Sequence, residues 1–255
     1  MSDLDLITLK EPNSPMSEAY RTLRTNIQYS SLDKKVKVVL ITSSSPGEGK
    51  TTTSSNLAIV MAQGGNKTIL IDCDQRKPTV HKVFKLSNST GLSNMLVGET
   101  ETEIGIQKTE VPNLHVLTSG TKPPNPTELL GSQKMKNFVQ ELKKTYDFII
   151  LDTPPVMMVT DAQILAQYTD GCLLVVSSGE AEKDCVIKAQ GLLTKVNAKI
   201  LGVVLNKVNP TKKGYYQYGY GEKSKIRTKK NKLENIHCSF YFINSTILFY
   251  YKAVF

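Results

Sequence analysis

Short apolar runs recur along the chain at intervals long enough to hold a helix, and several of them stop at a polar or acidic residue. The runs at 36–41, 68–71, 148–151, 172–176 and 200–205 are rich in Val, Ile and Leu and do not alternate with polar residues, as expected of parallel strands covered on both faces. Residues 114–117 form another short strand pattern. Between the runs, apolar positions recur at helical spacing, which predicts helices over 15–29, 51–62, 127–144, 161–168 and 183–196, with a short helix and loop over 80–97 punctuated by Gly91 and Gly98. Pro15 is placed to start the first helix and Gly64-Gly65 to stop the second, while Pro123-Pro124-Asn125-Pro126 reads as a rigid loop. A repeated βα pattern with buried strands predicts an α/β fold with a doubly wound, mostly parallel sheet and helices on both faces.

The chemistry concentrates where the runs end. After 36–41 comes Ser43-Ser44-Ser45-Pro46-Gly47-Glu48-Gly49-Lys50-Thr51-Thr52, which fits the end of a G-x-x-x-x-G-K-[ST] phosphate cradle, with Ser44 where the first glycine belongs. This predicts a P-loop NTPase fold that binds nucleotide phosphates with Mg2+. Pro46, Gly47, Glu48, Gly49, Lys50, Thr51 and Thr52 are the expected nucleotide contacts, Lys50 on the β- and γ-phosphates and the Thr51 hydroxyl on Mg2+. The second run ends in Asp72-Cys73-Asp74-Gln75-Arg76, and the carboxyl ends of such strands face the ligand crevice, so Asp72 and Asp74 are expected beside the phosphates. The plainer reading is an acidic turn. Phe148-Ile149-Ile150-Leu151-Asp152 followed by Thr153-Pro154-Pro155 has the form of a Walker B strand, aiming Asp152 at the water shell of Mg2+.

Composition narrows the class. At 255 residues with 40% apolar content, the chain can bury a core of one large or two small α/β units. Cys73, Cys172, Cys185 and Cys238 are widely spaced with no C-x-x-C, which argues against a zinc site or a disulfide framework and suits reduced thiols in a cytosol. Residues 1–10 are polar and acidic rather than a signal for export. The net charge of +9 is concentrated: residues 211–232 carry a surplus of +7, so the folded body is close to neutral. With no basic groove indicated elsewhere, nucleic acid is not expected as a partner.

Four features in this order, the loop at 44–51, Ile71-Asp72-Cys73-Asp74-Gln75-Arg76, Leu151-Asp152-Thr153-Pro154-Pro155 and a tyrosine-rich tail, resemble the bacterial tyrosine kinases of capsular and exopolysaccharide synthesis, in the form of the separate cytoplasmic kinase of Gram-positive systems. The resemblance spans residues 16–222. It implies an ATP-dependent protein-tyrosine kinase with Lys50, Asp72, Asp74 and Asp152 as catalytic residues. Thr51, Asp74 and Asp152 would hold the metal, Asp72 would accept the substrate tyrosine's proton, and Asn206 would read adenine. It also implies that Glu18, Arg21 and Arg24 make a ring contact between protomers; their spacing alone reads as an ordinary solvated helix face beside the stripe Tyr20, Leu23 and Ile27. A membrane-anchored activator with a cytoplasmic tail, protein tyrosine substrates, and a cytoplasmic chain recruited to the inner face of the membrane complete what it implies.

The sequence thus divides into residues 1–30 with the oligomerisation helix, a kinase domain at 31–210, a basic tyrosine-rich tail at 211–232 and an apolar extension at 233–255. Tyr215, Tyr216, Tyr218 and Tyr220 stand among glycine and polar residues that offer nothing to bury them, and are the expected sites of autophosphorylation by a neighbouring protomer. The extension has three readings: a segment that lies on a membrane surface, one that packs on the domain, or, preferred, an appendage foreign to the family left by a shifted reading frame. The competing function is a non-kinase P-loop ATPase of the Min and Par positioning class, which carries an extra lysine where this chain has Ser45. An iron–sulfur carrier wants a C-x-x-C that is absent, and a pure binding module would not need the intact Lys50, Asp72, Asp74 and Asp152.

Overall fold

The computed structural model describes residues 6–30, 35–100, 102–208 and 237–241. Its strands are β1 (Val38–Ser43), β2 (Thr68–Asp72), β3 (Ile106–Lys108), β4 (Leu114–Leu117), β5 (Phe148–Asp152), β6 (Gly171–Ser177), β7 (Ile200–Val208) and β8 (His237–Tyr241). They form one sheet in the order β3-β4-β2-β5-β1-β6-β7-β8, in which the six strands from β4 to β7 run parallel while β3 and β8 pair antiparallel at the two ends. The helices are α1 (Ile7–Lys10), α2 (Pro15–Gln28), α3 (Lys50–Gln63), α4 (Val80–Phe84), α5 (Leu92–Val97), α6 (Thr102–Gly105), α7 (Pro126–Leu130), α8 (Gln133–Thr145), α9 (Asp161–Leu165) and α10 (Lys183–Lys195).

Successive strand residues point to opposite faces, and the sheet accordingly builds two cores. On one face Val38, Leu40, Ile69, Ile71, Ile149 and Leu151 pack under α8, α9 and α10; on the other Val39, Ile41, Leu70, Phe148 and Ile150 pack under α2 and α3. Every residue of β1, β2, β5 and β6 is buried, which is why their apolar runs are continuous. The stretch 53–62 of α3 is buried on all sides, so that helix lacks a polar face. α2 starts where Ser14 accepts the Ser17 N–H at 3.2 Å with Pro15 in the first turn, and it buries Tyr20, Leu23 and Ile27.

Besides the unannounced edge strand β3, the structure departs from the sequence expectation in several places. The helix expected over 127–144 is two, because Gly131 closes α7 and the Ser132 hydroxyl caps α8 by accepting the Met135 N–H at 3.2 Å. The last parallel strand runs on to Val208, carrying Asn206 within β7 rather than after it. Part of the apolar extension, His237–Tyr241, adds to the sheet as an edge strand on β7.

Candidate active site

β1 delivers the chain to the phosphate loop and α3 carries it away, so the positive end of a 14-residue helix points at the loop. Gly47 (φ 81°) and Gly49 (φ 91°) take left-handed backbone that other residues adopt at a cost. Gly49 has a second reason: a β-carbon there would lie 1.9 Å from the Asn206 amide nitrogen. That nitrogen donates to the Glu48 carbonyl at 2.9 Å, so Asn206, buried in β7, is tied to the floor of the loop.

Ser44, in the place of the pattern's first glycine, is fully buried and donates its hydroxyl to both carboxylate oxygens of Glu48, at 3.0 and 2.9 Å. The same carboxylate accepts the Ser45 N–H at 2.7 Å and the Ser177 N–H at 3.3 Å from the end of β6. The departure is therefore absorbed inside the loop, where a polar latch supplies the rigidity. Pro46 and Gly47 are exposed at the tip, while Lys50, Thr51 and Thr52 are half-buried at the start of α3.

The acidic strand ends converge. Asp72 and Asp152 end the adjacent strands β2 and β5 as register partners. Asp152 accepts the Thr51 hydroxyl at 2.7 Å and the Ser54 hydroxyl at 2.9 Å. Asp72 accepts N–H groups from Asp74 (3.1 Å), Thr79 (3.1 Å) and Val80 (3.0 Å). Among the described residues neither carboxylate has a cation in contact. Burial pushes Asp152 up from 3.8 to about 6, with the Lys50 charge and the Thr51 and Ser54 hydroxyls holding it back. Burial, helped by the charges of Asp152 and Asp74, holds Asp72 well above the ordinary carboxylate range, against the pull of the Val80 and Thr79 N–H groups. Asp74, half-exposed on the turn that follows, accepts the N–H groups of Arg76 (3.2 Å) and Lys77 (2.9 Å).

Several partners lay beyond sequence reasoning. Thr79 stands 3.0 Å from the Thr51 hydroxyl. Arg76 reaches across to the buried Asp161 at 3.2 Å and to Thr127 at 2.8 Å, clamping the turn after β2 onto α9 and α7. Ser54 was in principle legible, one helical turn after Thr51 on the same face of α3.

The proposed interface face of α2 is not uniform. Glu18 and Arg21 pair at 2.8 Å on the surface, whereas Arg24 turns inward and donates to the Val60 carbonyl at 2.8 Å, holding the last turn of α3. Tyr215, Tyr216, Tyr218 and Tyr220 lie outside the described residues. Among the described residues no helix is long and apolar enough to cross a membrane.

Comparison with known proteins agrees with this geometry. The profile of a family described as "AAA domain" matches residues 36–200. The tyrosine-protein kinase YwqD of Bacillus subtilis (strain 168) is 47% identical over 225 residues, covering 88% of this chain and 94% of that protein. The crystal structure of the chimerical protein CapA2B2 superposes with a TM-score of 0.77 at 45% identity, covering 78% of this chain and 88% of that one. The septum site-determining protein MinD of Pyrococcus horikoshii, solved with Mg-ADP, shares the fold at a TM-score of 0.60 and 24% identity, covering 69% of this chain and 72% of that one. Joined to the loop, the paired strand-end aspartates and the identity to YwqD, these likenesses show that the chain belongs to the bacterial tyrosine-protein kinases.

Proposed function

We propose that this chain transfers the γ-phosphoryl group of ATP to tyrosine hydroxyls, its own tail tyrosines Tyr215, Tyr216, Tyr218 and Tyr220 among them, from one protomer of a ring to the next. The observation that carries the reading is the juxtaposition of Thr51, Asp152 and Asp72 at one mouth: a hydroxyl, a carboxylate bonded to it, and a second carboxylate one strand away.

These residues fit Mg2+ and a nucleotide. The donors are hard oxygens, and two left-handed glycines leave the loop backbone free to approach phosphate. Among the described residues no three His, Cys, Asp or Glu side chains are grouped to cage a metal, so Thr51, Asp152 and Asp74 would share the ion with phosphate oxygens and water. When bound, Mg-ATP supplies the phosphoryl group and the positive charge that offsets its oxygens. Lys50 and the N–H groups of the loop orient the phosphates, and the Glu48 latch keeps those N–H groups aligned. Asp72 is the base. Burial, with the charges of Asp152 and Asp74, raises its proton affinity above that of an ordinary carboxylate, which favours uptake of a proton from an incoming tyrosine, and its three N–H donors fix its orientation.

Through this activity the chain regulates capsular or exopolysaccharide synthesis and export, recruited to the inner face of the cell membrane by an anchored activator whose cytoplasmic tail switches it on. Each added phosphate contributes about −1.5 to −2 charges, so modification would cancel much of the tail's positive surplus and loosen the ring, whose contact uses Glu18 and Arg21. The Min and Par ATPase reading rests on fold likeness alone. The test is phosphotyrosine formation by the purified chain with Mg2+ and ATP, with and without an activator peptide, beside Lys50→Met and a variant with the four tail tyrosines changed to Phe. Signal that requires Lys50 and maps to the tail is expected; hydrolysis of ATP with no phosphotyrosine in either condition would overturn the proposal.

A further inference from the structure

Away from the phosphate loop, a groove of about 690 Å³ runs between α8 and the β3–β4 end of the sheet, within the size range of sites that hold drug-sized ligands. Its floor is apolar: Leu96, Ile106, Phe138 and Leu142 line it. Its rim is basic. Lys67, Lys108 and Lys134 line it without a carboxylate partner for their ammonium groups among the described residues, and the only acidic lining residue, Glu141, is taken by Lys144 at 2.8 Å.

The polar groups converge. Lys108 and His115 are directly opposite each other across the antiparallel β3–β4 ladder, so their side chains leave the same face of the sheet. His115 meets the edge of Tyr146 with ring centroids 5.6 Å apart, and the Lys67 ammonium lies 5.3 Å from the Tyr146 ring centre. The His115 Nδ1 atom is buried and, among the described residues, has no hydrogen-bond partner. Burial first, then the charges of Lys67 and Lys108, lower the proton affinity of His115, which places both ammonium groups within electrostatic reach of the ring. Two ammonium groups above an aromatic and aliphatic floor form a site for a ligand that is both anionic and aromatic.

We propose that this groove binds phosphorylated tyrosine, and that its occupant is residues 214–222 of this chain's own tail after modification; this deepens the kinase reading and rests on it. Charge selects the occupant and its state. The segment Gly214-Tyr215-Tyr216-Gln217-Tyr218-Gly219-Tyr220-Gly221-Glu222 contains no Lys or Arg, so before modification it offers a basic rim one carboxylate. Each phosphotyrosine adds about −1.5 to −2 charges and three strong acceptor oxygens, with the phenyl ring left to the apolar floor. The groove thus reads the product of the reaction at a place remote from the reaction itself. Phosphorylated tails that leave the active site are held on the body of a protomer.

The experiment is fluorescence anisotropy with synthetic 214–222 peptides, unmodified and phosphorylated, titrated with phosphatase-treated full-length chain. Because the peptide is modified by synthesis, the result does not depend on whether the chain can phosphorylate itself. The phosphorylated peptide is expected to bind about tenfold or more tightly than the unmodified one, and binding is expected to weaken by about tenfold in Lys67→Glu and in Lys108→Glu, both exposed positions whose melting temperatures should match the wild type. Equal binding of the two peptides would overturn the proposal. So would binding that both charge reversals leave unchanged, which would place the peptide in the active site, or displacement by inorganic phosphate at the same concentration as by free phosphotyrosine, which would leave a generic anion site only.

Discussion

At the N-terminal edge of the sheet Asp170 accepts the N–H groups of Lys37 and Val38, at 3.0 and 2.9 Å, and faces the Lys143 ammonium at 3.2 Å. At the C-terminal edge Asp152 is buried more deeply and, among the described residues, its carboxylate accepts from two hydroxyls. Burial works against the charge of both. For Asp170 it is outweighed by the two N–H groups and Lys143, so the carboxyl sits below its ordinary value; for Asp152 it prevails, and the carboxyl rises to about 6. The first carboxylate ties β6 to β1 and belongs to the fold. The second is held at a cost in stability that a metal ion and phosphates would offset, as expected where selection acts on function rather than on stability.

The largest effect that would break this contrast is on the stability of the ligand-free chain. A carboxyl raised in the folded state from 3.8 to about 6 imposes no penalty below pH 4, an increasing one between pH 4 and 6, and a constant one of about 3 kcal/mol above that. Asp152→Asn should therefore stabilise the chain by up to about 3 kcal/mol at pH 7 and by nothing at pH 4 in urea denaturation, since the Thr51 or Ser54 hydroxyl can turn to accept from the new amide. A stability loss at pH 7 would mean that Asp152 is structural.

Asp170→Asn should act in the opposite direction. A carboxyl lowered in the folded state contributes stability above its unfolded value near 3.8 and loses it as pH falls through the folded one. Losing the charge-assisted bonds and leaving Lys143 unpaired should cost about 1–3 kcal/mol at pH 7, with the difference closing in acid.

How much of this contrast was readable from the sequence depends on what sets each position. The fully buried strands β1, β2, β5 and β6 announce themselves as apolar runs, and with them Asp72 and Asp152, because each stands at the end of such a run. Gly49, Lys50 and Thr51 follow from backbone chemistry at a fixed spacing. β3 gave no signal: the half-covered edge residues Ile106 and Gln107 and the exposed Lys108 show neither a run nor alternation. The break at Gly131 and Ser132 was visible as residue types, but the helical period continued across it. Thr79, Arg76 with Asp161, and the Ser177 contact to Glu48 join residues far apart in the chain, which local pattern cannot pair. Arg24 shows the limit most clearly, since spacing put it on the surface with Glu18 and Arg21 and packing turned it onto Val60.

That difference within α2 yields the smallest prediction. Arg24→Ala removes a charged cap from a helix end and should cost about 1–2 kcal/mol, while Glu18→Ala breaks only an exposed pair and should stay within about 0.5 kcal/mol. If Glu18→Ala nonetheless changes the sedimentation of the assembled chain, its surface pair serves the ring rather than the protomer.

The central claim, that the C-terminal edge keeps Asp72 as a base for tyrosine, is tested most directly by Asp72→Asn in single-turnover phosphotyrosine formation, alongside Mg-ADP affinity. The asparagine oxygen can keep the N–H bonds from Thr79 and Val80. The account predicts a fall of about a hundredfold to ten-thousandfold in phosphoryl transfer with nucleotide affinity changed by no more than about threefold. Transfer at the wild-type rate, or a loss matched by an equal loss of Mg-ADP affinity, would contradict it.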